Sequence, residues 1–76
     1  MSQARFPDAR IAAEATLRLA WDASVPRNTI RVRVHKGHIT LEGKLRGNPQ
    51  RLAALEDVTR LFGVTGVTDH LIVTRQ

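Results

Sequence analysis

The sequence predicts an α+β fold in the order α-β-β-α-β, with two helices packed on one face of a three-stranded mixed or antiparallel sheet. Three observations lead there. Ile30 to His35 and His38 to Arg46 alternate apolar and polar residues on either side of Lys36-Gly37, the pattern of a β-hairpin closed by a two-residue turn. The stretches on both sides of this hairpin carry apolar residues at helical spacing. Finally, Val67 to Thr74 alternates again, which reads as a third strand.

The first helix is expected from Asp8 to Asp22. Arg10, Glu14, Arg18 and Asp22 recur every fourth residue with alternating sign, opposite an arc of Ile11, Ala12, Ala15, Thr16 and Leu19. Asp8, after Pro7, is placed to cap it, and residues 1–7 form an N-terminal tail to a single domain over 8–76. Val25 to Thr29 connects to the hairpin. Pairing across Lys36-Gly37 sets His35 opposite His38, Arg33 opposite Thr40 and Arg31 opposite Glu42 on one face, with Val34/Ile39 and Val32/Leu41 on the other. Gly47-Asn48-Pro49 supplies a breaker, a capping Asn and a proline for the first helical position. The second helix then runs from Pro49 to Phe62, with Leu52, Leu55, Val58 and Phe62 lining one face and Gly63 ending it. A crossover through this helix returns the third strand parallel to the second, and the expected place for it is beside the first, in the order 2-1-3.

Seventy-six residues make one small core. Without cysteine, neither a disulfide nor a thiolate metal site can reinforce it, so weak self-association is a reasonable expectation. No run approaches membrane-spanning length, and Met1 to Arg10 lacks the apolar stretch of a secretory signal. A cytoplasmic location is therefore expected of the chain as written, and a periplasmic or envelope one if it is a processed or excised piece. The pI of about 11.4 favours anionic partners: an acidic membrane surface, an acidic protein or, less favoured, nucleic acid. The basic charge is concentrated. The hairpin holds Arg31, Arg33, Lys36, Lys44 and Arg46 against Glu42 alone, a net +4 of the formal +5.

Gly37-His-Ile-Thr-Leu-Glu-Gly43 and Gly63-Val-Thr-Gly-Val-Thr-Asp-His-Leu-Ile-Val73 resemble the two signature segments of the BON domain family, named for bacterial osmotically inducible and nodulation proteins. Gly37, Ile39, Leu41, Gly43, Gly63, Val64, Val67, Asp69, Leu71 and Val73 fit its pattern, and Asp8, Ile11, Ala15 and Leu19 extend the likeness through the first helix. The resemblance implies a non-enzymatic binding module, associated with phospholipid membranes or with envelope and transport proteins, that needs no cofactor. It also implies a structural role for Asp69, which alternation turns inward and which has to find partners there.

The remaining features weigh toward structure. Trp21 ends the first helix and reads as a core-edge residue under the Val25-Pro26 loop or as an interfacial anchor; with Ile72 it is a candidate contact residue. His35, His38 and His70 all face outward, a weak pattern for metal. Gly63-Val-Thr-Gly66 has the G-x-x-G form of a KH loop but no basic residue inside it, and no aromatic lies on the strands for base stacking. No nucleophile has an identifiable base, so catalysis is not expected. Gly43, inward between Leu41 and Leu45, implies that a helix approaches the sheet closely at that point.

Overall fold

A computed structural model describes residues 7–74, so most of the expected tail and the last two residues lie outside the described part. Its elements are α1 (Asp8–Trp21), β1 (Ile30–His35), β2 (His38–Leu45), α2 (Asn48–Thr59) and β3 (Gly66–Val73). The hairpin register is the expected one at every pair, from His35 opposite His38 to Ile30 opposite Gly43. Lys36 and Gly37 have φ of 51° and 82°, the two positive values that a type I′ turn requires.

The strand order corrects the 2-1-3 expectation. It is β1-β2-β3, with β3 parallel to β2 from His38 opposite Gly66 to Leu45 opposite Val73. The crossover through α2 therefore sets β3 down directly beside the strand it left. β2 becomes the central strand, and its inward Ile39, Leu41 and Leu45 are sealed, whereas the inward residues of β1 stay half-buried. From the helices, Ile11, Ala15 and Leu19 of α1 and Ala54 and Val58 of α2 complete the core over that one face, together with Val25, Leu61 and Leu71.

Both helix starts differ from expectation. Asp8 is the first helical residue, one past the N-cap position that Pro7 holds, and its carboxylate accepts the N–H of Lys36 at 2.8 Å and of Gly37 at 3.0 Å. Gly47, not Asn48, is the N-cap of α2, and Asn48 accepts a hydrogen bond from Arg51 Nη1 at 2.9 Å. The predicted inner face of the second helix is also rotated. The helix ends at Thr59 and buries Ala54 and Val58, which turns Leu52 and Phe62 outward at 54% and 74% exposure.

Gly43 is crowded, but not by a helix. A Cβ there would lie 2.1 Å from the Thr29 carbonyl oxygen and 3.2 Å from Ile30 Cα, and φ is +151°. The backbone at the start of β1 fills the space, so the helix approach inferred from the sequence is replaced by a strand approach. Gly43→Ala is expected to cost on the order of 2 to 4 kcal/mol through this clash and the backbone strain together, and Gly43→Val no less. Urea titrations of both variants check it, and parent-like midpoints would contradict it.

Asp57 of α2 places a carboxylate oxygen out of contact with water and with no group donating to it. Burial, followed by the neighbouring Asp22 and Glu56, pushes its carboxyl up to about 7, with Arg18 opposing. Asp22 is lowered, first because Asp57 donates to it and then because it accepts the Ser24 N–H at 2.8 Å. In the unfolded chain Asp57 ionises near its ordinary 3.8, so its stabilising contribution is complete below that pH and is lost as pH rises toward about 7. Asp57→Asn keeps a donor toward Asp22 and avoids the ionisation. It is expected to stabilise the domain by about 1 to 2 kcal/mol at neutral pH, after allowance for solvent screening, and to give little at pH near 4. Unfolding free energies across that range test this, and a constant offset between parent and variant would contradict it.

Candidate anion-binding face

With both helices on one side, the other side of the sheet carries Arg31, Arg33 and His35 from β1, His38, Thr40, Glu42 and Lys44 from β2, and Thr68, His70 and Ile72 from β3. Three of the five predicted cations, Arg31, Arg33 and Lys44, share this face. Lys36 stands at the turn and Arg46 follows the far end of β2, so the two are separated by roughly the length of an eight-residue strand, about 26 Å. The register puts Ile72, 55% exposed, beside Lys44.

Glu42 lies between Arg31 and His70 in the register, yet its ion pair is diagonal, to Arg33 Nε at 3.8 Å. At that length, between an exposed Arg33 and a half-buried Glu42, the pair is worth little and leaves the face cationic. A shallow depression of about 480 Å³, lined by Asn28, Thr29, Ile30, Arg31, Glu42 and Gly43, opens beside Arg31.

The other predicted residues are placed as follows. His38 Nε2 and Thr68 Oγ1 are 2.6 Å apart, and a Cβ at Gly66 would meet the His38 ring at 2.9 Å, so this histidine joins β2 to β3. Among the described residues no group of three or more His, Cys, Asp or Glu is arranged to hold a metal ion. The Gly63 to Gly66 loop is engaged internally: Thr65 donates its N–H to the Gly37 carbonyl at 2.8 Å and its hydroxyl to the Lys36 carbonyl at 3.3 Å. Asp69 accepts from Arg51 Nε at 2.8 Å and from the Leu71 N–H at 2.9 Å, tying α2 to β3 while covering an amide that would otherwise lie on the sheet edge.

Trp21 corrects one of its two readings. It is 76% exposed on the helical side and not packed under the Val25-Pro26 loop; Leu17, one turn before it, is 47% exposed. These two side chains are on the opposite layer from the cations and do not belong to the sheet face. Sequence reasoning overlooked Leu17, although its offset from the Ile11, Ala15, Leu19 arc signalled an outward position.

The BON domain family profile matches residues 7–75, and the chain belongs to that family. No curated protein matches the chain significantly. BON domains are binding modules to which phospholipid binding is ascribed, and they are not known as enzymes. No helix among the described residues is long and apolar enough to cross a membrane.

Proposed function

We propose that this BON domain attaches to anionic phospholipid surfaces through the outward face of its sheet, with Arg31, Arg33 and Lys44 in contact, Lys36 and Arg46 reaching from either end, and Ile72 supplying an apolar contact. The observation that supports this reading is the register, which aligns Arg31, Arg33 and Lys44 on the face opposite both helices, where Glu42 is the one acid among the described residues. At about 1 kcal/mol per basic residue next to an anionic leaflet, the net four charges of the hairpin give on the order of 4 kcal/mol, roughly millimolar affinity. One domain alone then holds a membrane weakly, and a tandem neighbour or protein partner would raise retention by avidity.

The exposure of Trp21 and Leu17 favours a second reading, in which α1 lies in the membrane interface with its tryptophan as anchor. A phosphodiester backbone would meet the same sheet cations, but no aromatic stands among them for a base to stack on.

Co-sedimentation with vesicles of equal phosphatidylglycerol and phosphatidylcholine, against phosphatidylcholine alone, separates these. The expected result is weak, salt-sensitive binding to the anionic vesicles only. Reversing Arg31, Arg33, Lys44 and Arg46 to Glu removes it, whereas Leu17→Ser with Trp21→Ser leaves it in place. Loss in the second variant alone would move the contact to α1, and equal binding to neutral vesicles would overturn the electrostatic account.

A further inference from the structure

Among the described residues β1 is an edge strand, paired with β2 alone. The two-residue turn makes His35 and His38 the hydrogen-bonded closing pair, so Arg31, Arg33 and His35 direct their backbone groups to β2 while Ile30, Val32 and Val34 direct theirs outward. The same three residues are the inward-facing ones, and each is only half-buried. Alongside this edge runs a groove of about 310 Å³ between α1 and β1, whose walls include Leu19 and Ala20 from the helix and Ile30 and Val32 from the strand; Val25 and Arg27 lie on the loop that closes one end. None of the lining residues is acidic. The other sheet edge differs, because Asp69 covers the Leu71 amide there.

We propose that the β1 edge and its groove take an extended acidic peptide segment as a fourth strand. The strand would pair with the outward N–H and C=O groups of Ile30, Val32 and Val34. Alternate side chains of an added strand point to opposite faces. On the inner side they would enter the groove beneath α1, whose walls are mixed and where Leu19, Ala20, Ile30 and Val32 offer apolar contact to a Val, Ile or Leu; on the outer side they would lie beside Arg31 and Arg33, with Arg27 at the groove end, which calls for Glu or Asp. Charge also decides against a second copy of this chain as the occupant. Two β1 edges would bring Arg31 and Arg33 together with their own counterparts, whereas an acidic strand is attracted by them. This surface goes beyond the lipid reading and overlaps it only at Arg31 and Arg33.

The test is titration of the isotopically labelled domain, by amide NMR, with a capped octapeptide of sequence Thr-Glu-Val-Glu-Ile-Glu-Val-Thr. The expected result is saturable binding in which the Ile30, Val32 and Val34 amides shift most and exchange more slowly with solvent. The same peptide N-methylated at alternate residues keeps every charge but cannot complete a ladder, and it is expected to bind at least about tenfold more weakly. Capture by the cationic sheet face alone would be indifferent to N-methylation, so this arm separates the inference from the lipid reading. Ala20→Trp fills the groove from an exposed helix position without entering the core and is expected to weaken the unmodified peptide by a similar factor. Equal binding of the N-methylated peptide would overturn the proposal. So would shifts confined to other surfaces, or concentration-dependent shifts of the β1 edge without peptide.

Discussion

The Lys36-Gly37 turn is where three separate segments of the chain are fixed to one another. Asp8, at the start of α1, accepts both amides of the turn, and Thr65, before β3, donates to both of its carbonyls. Gly37 has to be glycine twice over: φ is +82°, and a Cβ would come within 2.9 Å of the Gly63 carbonyl and of the Thr65 side chain. Backbone groups of a tight turn that would ordinarily be hydrated are thus satisfied by the two elements that the turn positions. The consequence reaches the rest of the sheet, because anchoring Thr65 to the turn starts β3 level with β2, His38 opposite Gly66, and everything after follows in register. The two glycine-containing segments that mark the family are therefore the two sides of one junction.

The hairpin was fully legible because period-2 alternation and a two-residue turn together leave one register. Element order was legible for the same local reasons. The strand order was not. Which side of the hairpin receives β3 depends on where the α2 crossover lands and on the contact of Thr65 with Gly37, and neither leaves a periodic trace in the sequence. The α2 face was misread because Leu52, Leu55, Val58 and Phe62 were taken as one stripe, whereas small Ala54 lets the helix approach the core and takes the central place, with Val58 beside it. Gly43 announced crowding correctly and its source wrongly: a glycine reports that something is close, not whether it is a helix or the carbonyl of Thr29.

Of the proposed binding surfaces, the charge was legible and the relief was not. Alternation placed Arg31, Arg33 and Lys44 on one face, and both helices pack on the other. The groove along β1 is formed by α1, β1 and the 25–28 loop together, and the 76% exposure of Trp21 belongs to the packing of the end of α1, neither of which leaves a periodic trace in the sequence. The exposed Leu17 and Trp21 thus lie on the helical layer, while the sheet face carries the three aligned cations with Ile72 beside Lys44. Internal electrostatics remain local, with the acid pair of Asp22 and Asp57 between the helices and the Arg51–Asp69 pair binding α2 to β3.

Native-state hydrogen exchange at the Lys36 and Gly37 amides tests the role of the turn most directly. If Asp8 and Thr65 hold it as described, both amides exchange only through opening of the whole domain, with protection close to that of Ile39 and Leu41 in the central strand, and Asp8→Ala lowers the protection of both together. Exchange of these two amides at the rate of an unprotected turn, while the central strand stays protected, would contradict the account.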